Sequence, residues 1–242
     1  MDNRALPSAV VIDFDDTLYA YQPCHEKAMV SAIEYLAAET GVPKKVIENE
    51  LRSANSTVKS RLGAVASSHS RILYAQEALS NLGFSSKPVL ALRFEQIYWS
   101  TFLNFMKPNV GVEEFLSSVR YQQIPIVLLT DLTSQIQIRK VQHLKWDLFF
   151  DYVVTSEFIG SEKETGAPFQ FALNLLKEHE RVNVWFVGDK LHDVPDIPKL
   201  KENNQLVNGR GFLKDLDDPT KDYVSSFKTF SELGGFITPR SA

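Results

Sequence analysis

Asp13, Asp15 and Asp16 crowd three carboxylates into four positions, directly after the apolar run Val10-Val11-Ile12 in the stretch VVIDFDDTLYA. Neighbouring carboxylates cannot all stay ionised without a counter-charge. A hard divalent cation supplies one, and Mg²⁺ accepts a few carboxylates together with water and substrate phosphate. Side chains at i and i+2 of a strand point the same way, so Asp13 and Asp15 can address one substrate. One carboxylate can attack phosphorus and form an aspartyl-phosphate. The other can protonate a poor leaving group and then take a proton from water, a role that contributes about 10²- to 10⁴-fold. The cation would offset the repulsion between an anionic nucleophile and an anionic phosphate.

Further polar groups follow other apolar runs. Thr130-Asp131 comes after IPIVLL, and Gly188-Asp189, then Asp193, after NVWFV. Lys163 lies in a loop between them. A lysine point charge and a threonine hydroxyl suit phosphate oxygens. In open parallel sheets, ligands sit beyond the carboxyl ends of the strands. The convergence of these groups on one sheet edge carries more weight than any single motif.

The elements that must position them fall into two patterns. Residues 9–14 read as a buried strand. Residues 24–106 read as almost wholly helical: CHEKAMVSAIEYLAAETG stops at Gly41, Pro43 and Pro88 stand near helix starts, and HSRILYAQEALSNLG ends at Gly83. Strands and helices then alternate. VGVEEFLSSVRYQQ, SQIQIRKVQHL and PFQFALNLLKEH read as helices, and IPIVLLT, DYVVT, NVWFVGD and QLVNG as strands. Such alternation predicts an α/β fold, a doubly wound parallel sheet covered on both faces. Residues 1–20 and 107–242 are expected to form this core, and residues 21–106 an inserted all-helical cap, because the insert is too long for a loop.

Composition sets the outer bounds. The chain has 242 residues, 44% hydrophobic and 23% charged, ordinary for a globular protein able to bury a sizeable core. Lys+Arg is 26 against Asp+Glu 30, a net charge of -4, which argues against a nucleic-acid surface. The single cysteine, Cys24, excludes an intrachain disulfide and fits a reducing compartment. MDNRALPSAV lacks a basic start followed by an apolar run, so no secretory signal is expected. No run of eighteen apolar residues predicts a membrane span. A cytoplasmic protein, monomer or homodimer, is the expectation.

Four motifs in order resemble the haloacid dehalogenase-like (HAD) hydrolase superfamily, over about residues 8–235. They are Asp13-Phe14-Asp15-Asp16-Thr17-Leu18, Val127-Leu128-Leu129-Thr130, Lys163, and Val187-Gly188-Asp189-Lys190-Leu191-His192-Asp193. A helical insert after the first motif is similar to that superfamily's helical cap type. The resemblance implies a Rossmann-like core and Mg²⁺ as cofactor. It implies Asp13 as nucleophile and metal ligand, and Asp15 as general acid/base with its carbonyl on the metal. Thr130 and Lys163 would bind the transferring phosphoryl group, Asp189 and Asp193 the metal, and Thr17 would support Asp15. Asp131 stands where asparagine is frequent in relatives; its side chain is expected to point away from phosphate, leaving its N–H to help. Glu164-Thr165-Gly166-Ala167-Pro168 after Lys163 also departs from the usual pattern.

Substrate choice is expected from the cap. Lys59, Arg61, His69, Arg71 and Tyr74 flank the stretch from Leu62 to Ser68, and Arg61, His69 and Arg71 are candidate substrate contacts. The plainer alternative is a solvated charged face. Plain readings also attach elsewhere: Asp16 as solvated or capping, Lys190 as a surface lysine, His192 at a helix end, Cys24 as packing, and Trp99, Phe102 and Phe105 as core. An EF-hand fails, because Thr17 and Leu18 replace required residues. The leading expectation is a Mg²⁺-dependent phosphomonoesterase on a small phosphorylated metabolite. The alternatives are a phosphomutase of the same superfamily or a non-catalytic binding module. Asp15 argues against a dehalogenase and against phosphonate cleavage, which the resemblance associates with loss of that acid.

Overall fold

The computed structural model describes residues 6–176, 183–199, 201–202, 205–217 and 221–237. The chain divides into two compact units, Met1–Ala20 with Lys107–Ala242, and Tyr21–Met106. Strand β1 (Ala9–Ile12) opens the first unit and is buried throughout.

The second unit is helical: α1 (Tyr21–Thr40), α2 (Lys44–Leu62), α3 (Arg71–Asn81) and α4 (Pro88–Phe105). Pro88 sits in the first turn of α4, where its missing N–H costs nothing. A short 3₁₀ turn, Ala66–His69, joins α2 to α3. Leu36, Ile47, Leu51, Val58, Leu79, Phe94, Tyr98 and Phe102 are buried in this unit. Trp99 and Phe102 are core, as their spacing predicts, but Phe105 is 52% exposed. The buried stripe Ala91, Phe94, Tyr98, Phe102 continues to Met106 instead, and the Phe105 ring lies at the surface beneath the Lys27 ammonium.

The chain then resumes the α/β unit with α5 (Val112–Tyr121), β2 (Ile126–Thr130), α6 (Ser134–Leu144), β3 (Tyr152–Thr155), α7 (Ser156–Ile159), α8 (Ala167–Leu175) and β4 (Val184–Gly188). A small antiparallel pair, β5 (Lys201–Glu202) and β6 (Gln205–Leu206), precedes β7 (Gly209–Lys214), β8 (Val224–Phe227) and α9 (Phe230–Ile237). Six strands form one parallel sheet in the order β3-β2-β1-β4-β7-β8. This is the doubly wound arrangement the alternation predicts. Val11, Val127, Leu129 and Phe186 from the strands pack with Phe169, Ala172 and Leu173 from α8.

The end of the sheet differs from the expectation. QLVNG is not one strand: Gln205–Leu206 form the two-residue β6, and its last residue, Gly209, begins the next parallel strand. GRGFLK does not read as an apolar run because glycines occupy its packed face. A Cβ at Gly211 would stand 2.6 Å from Val194 Cγ1, so only glycine fits. Lys177, Glu178 and His179, the end of the expected helix PFQFALNLLKEH, lie outside the described residues.

Candidate active site

The central strand delivers the first group. The Asp13 N–H donates to the Val187 carbonyl at 2.8 Å, which extends the β1–β4 ladder by one residue. Asp13 therefore emerges between the ends of β2 and β4, and its side chain is buried. The Thr17 hydroxyl donates to Asp13 Oδ2 at 2.9 Å and to Asp189 Oδ1 at 3.3 Å. Thr17 thus ties Asp13 to Asp189 and makes no bond to Asp15, the partner expected for it. Lys163, on the turn Lys163–Thr165, donates from Nζ to Asp13 Oδ1 at 2.5 Å and also to Asp193 Oδ1.

Asp193 is fixed from behind. Its Oδ2 accepts the backbone N–H groups of Asp189 and Lys190, at 3.2 and 2.9 Å. Gly188 makes room: a Cβ there would stand 2.2 Å from Asp193 Cβ. His192 is half-buried, with Nε2 3.9 Å from Asp193 Oδ1, and Lys190 is exposed with Nζ 3.7 Å from Asp189.

The electrostatics follow from this crowding. Burial and the neighbouring Asp193 and Asp15 push the Asp13 carboxyl up to about 8, against the pull of Lys163. Burial also raises Asp189, an effect Lys190 partly offsets. Burial acts against Asp193 too, but Lys163 and the backbone N–H of Lys190 outweigh it and hold that carboxyl low. Burial disfavours the Lys163 ammonium, yet Asp13 and Asp193 raise its pKa above the ordinary lysine value. Asp13, Asp189 and Asp193 each place an oxygen within 4.8 Å of one another. This compact all-oxygen set carries more negative charge than Lys163 neutralises, and it fits a hard divalent cation such as Mg²⁺.

Asp15 faces a different set. Its Oδ1 accepts Lys140 Nζ at 2.7 Å and the Tyr19 hydroxyl. Its Oδ2 accepts a longer bond, 3.3 Å, from Gln137 Nε2. That amide donates more closely, at 2.7 Å, to the Thr130 hydroxyl and to the Asp131 carbonyl. Burial acts against the Asp15 carboxylate, but Lys140, Tyr19 and Gln137 outweigh it and hold its pKa below the ordinary value. Thr130 is buried at the end of β2. Asp131 turns its carboxylate to the Lys163 backbone N–H, 3.3 Å away.

Tyr19, Gln137 and Lys140 are not among the candidates the sequence suggests. Gln137 and Lys140 share the buried face of α6 with Ile136 and Val141, whereas Ile138 is 56% exposed. The available signal was a polar pair three residues apart on the helix that follows Thr130.

A profile of the haloacid dehalogenase-like hydrolases matches residues 7–195. The chain belongs to this family. It is 33% identical over 188 residues to a ribulose-1,5-bisphosphate 5-phosphatase of Halopiger xanaduensis, covering 77% of this chain and 78% of that protein. It is 30% identical over 223 residues to a glyceraldehyde 3-phosphate phosphatase of Methanopyrus kandleri, covering 91% of each. Among solved structures it shares the fold of a 2-haloacid dehalogenase from Pseudomonas syringae pv. Tomato DC3000, with TM-score 0.72 and 19% identity over 96% of this chain and 98% of that one.

The helical unit of this HAD-like hydrolase holds the remaining candidates. Arg61 pairs with Glu77 at 2.9 Å on the surface. Arg71 Nη1 donates to the His69 carbonyl at 2.9 Å, and Nη2 to the Tyr21 hydroxyl. The Arg71 guanidinium lies 5.3, 5.1 and 5.9 Å from the ring centres of Tyr74, Tyr98 and Trp99. Lys59 is exposed, and the Tyr74 hydroxyl donates to the Ser68 carbonyl at 2.6 Å. The sequence cluster therefore separates: His69, Arg71 and Tyr74 come together, and Arg61 turns to Glu77. Cys24 is a buried free thiol. Asp16 adopts a left-handed backbone, φ 65°. Among the described residues no helix is long and apolar enough to cross a membrane.

Proposed function

We propose that this hydrolase is a Mg²⁺-dependent phosphomonoesterase acting on a small phosphorylated metabolite of the sugar-phosphate kind. The observation that carries the proposal is the convergence on Asp13: a buried carboxylate at the end of the central strand, beside Lys163 and two further acids. The two curated relatives, phosphatases of ribulose 1,5-bisphosphate and glyceraldehyde 3-phosphate, support the substrate class.

In this reading Asp13 attacks phosphorus as the ester oxygen departs, and an aspartyl-phosphate forms. Lys163 Nζ and the Thr130 hydroxyl hold phosphoryl oxygens and stabilise the charge that spreads over them. Asp15 Oδ2 supplies a proton to the departing oxygen. It then takes one from the water that displaces Asp13, as general acid and then general base. Asp13, Asp189 and Asp193, with the Asp15 carbonyl, would hold Mg²⁺, which when bound offsets the repulsion between the carboxylates and phosphate. Of the helical-unit candidates, Arg61 is engaged by Glu77 and Arg71 by the Tyr21 hydroxyl and the His69 carbonyl, so neither arginine is assigned a substrate contact in this reading.

The test is inorganic phosphate release from a panel of phosphorylated sugars, nucleotides and small acids, with Mg²⁺, with EDTA and with Asp13→Asn. The expected result is Mg²⁺-dependent release that Asp13→Asn abolishes. Folded, metal-binding protein that releases phosphate from no ester would overturn the reading and favour a mutase or a binding module.

A further inference from the structure

Lys140 is a buried lysine that the proposed chemistry does not use. Its side chain has no exposure to solvent. Its Nζ reaches Asp15 Oδ1 at 2.7 Å and lies 5.8 and 5.5 Å from the ring centres of Phe14 and Tyr19. An ammonium is an expensive way to fill space on the inner face of α6, because burying a charge is costly unless it is paired. An apolar side chain would serve packing alone.

Its consequence is a division of labour between the two oxygens of Asp15. Oδ1 is taken by two donors, Lys140 Nζ and the Tyr19 hydroxyl. Among the described residues Oδ2 has only the long bond to Gln137, whose amide is committed to the Thr130 hydroxyl and the Asp131 carbonyl. Gln137 Oε1 is buried without a partner among the described residues, so the amide is held through its N–H donors. Two donors on one oxygen stop the carboxyl from turning, and the lightly held oxygen is the one that shares a donor with Thr130.

We infer that Lys140 is a positioning residue: with Tyr19 it clamps Oδ1 of Asp15, so that Oδ2 is the oxygen that exchanges protons with the leaving group and with water. This rests on the phosphomonoesterase reading. In the first half-reaction the Asp13–phosphorus bond forms, the ester P–O bond breaks, and a proton that Oδ2 takes up from the substrate's phosphate monoanion passes to the departing oxygen to give the alcohol. In the second, water attacks phosphorus, its proton passes to Oδ2, and the phosphorus–Asp13 bond breaks to release phosphate. The proton on Oδ2 leaves with that phosphate, and both carboxylates are ionised again.

The inference predicts a dependence on leaving group. A sugar alkoxide needs the proton, whereas p-nitrophenolate leaves without it. The parameter to compare is kcat/KM, which covers only the steps through loss of the alcohol; kcat also contains the water step, common to both esters. The experiment measures p-nitrophenyl phosphate and the fastest sugar phosphate of the panel with the wild type, Lys140→Met, Asp15→Asn and the double variant. Lys140→Met keeps the apolar stem and removes the ammonium. It should lower kcat/KM for the sugar phosphate by about 10²-fold, within the range of general acid–base catalysis, and for p-nitrophenyl phosphate by less than about threefold. Because Lys140 acts through Asp15, Lys140→Met should change little in the Asp15→Asn background. If Lys140→Met does not fold, Tyr19→Phe removes the other Oδ1 donor and should give the same pattern at smaller size. Equal losses on both esters, or an undiminished effect in the Asp15→Asn background, would overturn the role of Lys140 and leave the phosphatase standing. A wild type that releases phosphate from neither ester would overturn both.

Discussion

Two regions of this hydrolase bury charge in opposite ways. At the carboxyl edge of the sheet, Asp13, Asp189 and Asp193 converge, and Lys163 reaches only Asp13 and Asp193. In the helical unit, Arg71 is enclosed by the faces of Tyr74, Tyr98 and Trp99, with a carbonyl and a hydroxyl as acceptors. No carboxylate pairs with it among the described residues. Aromatic faces and dipoles compensate a delocalised guanidinium without any bound ligand. Packed carboxylates have no such recourse and need a cation. The difference separates a site that is incomplete by itself from a charge that belongs to the framework. One detail runs the other way: Arg71 Nε is buried without an acceptor among the described residues.

The strongest way to break the acidic site without touching an acid is Gly188→Ala. The added methyl would collide with Asp193 Cβ, 2.2 Å from its position, and the backbone on which it sits belongs to the buried strand β4. Overpacking of this kind costs about 1–3 kcal/mol. Displacement of Asp193 should also break up the acidic cluster. The expected outcome is a lower thermal midpoint and loss of the rise in midpoint that Mg²⁺ gives the wild type, a rise worth about 2.7 kcal/mol at a hundredfold excess over Kd. A variant that keeps the full Mg²⁺ response would show that Asp193 is dispensable to the cluster.

Arg71→Met is the matching test in the helical unit. It removes a charge-assisted hydrogen-bond donor and a cation–π partner, a loss of about 2 kcal/mol. For a chain of this size that is a fall of about 4–8 °C in thermal midpoint. The expected outcome is that fall, with the Mg²⁺ response intact. A raised KM at unchanged midpoint would reverse the comparison and make Arg71, through its unpaired Nε, a substrate contact.

The same contrast explains what the sequence could disclose. Asp13, Thr130, Asp189 and Asp193 stand out because each interrupts or follows an apolar run, and a parallel sheet gathers strand ends at one edge; Lys163, in a loop, stands out through the family resemblance. The helix-borne half of the arrangement had no such contrast. SQIQIRKVQHL reads only as a helix, and nothing in its apolar spacing marks Lys140, which is inside while Ile138 is outside. The buried face of α6 is turned to a carboxylate, and a pattern that scores only hydrophobicity cannot register a polar destination. The strand β7 was hidden for a related reason. Gly211 supplies space for Val194 where an apolar side chain would have marked a strand. Thr17 was assigned to the nearer acid in sequence, and the turn after β1 carries it to Asp13 and Asp189 instead.

The smallest effect, and the finest test of the contrast, is the slope of stability with pH. Asp13 sits at about 8 in the folded protein, against about 3.9 for an unperturbed aspartate. The folded state therefore holds more protons than the unfolded state between those values, and stability falls as pH rises through that window. Asp189, also raised, adds to the slope with the same sign. Asp15 and Asp193 are lowered, so what they contribute is lost only on acidification below the ordinary carboxylate range. The raised Lys163 contributes stability lost only above the ordinary lysine range. In the helical unit, burial and Arg71 depress His25 from 6.5 to about 4, so the unfolded state binds the extra proton between those values and His25 adds a slope of opposite sign there, while Arg71 itself stays charged throughout. Between about pH 6.5 and 8 the slope should thus come from the acidic edge. With EDTA, the thermal midpoint of the wild type should decline across this interval, and Asp13→Asn should flatten the decline. Saturating Mg²⁺ should flatten it as well, because a bound cation favours the ionised carboxylates that the bare site penalises. Arg71→Met should lower the whole profile and leave its slope above pH 6.5 alone, because below that Arg71 also acts on His25. A profile with EDTA that is already flat would mean that Lys163 suffices for the acids, and the two regions would then bury charge on equal terms.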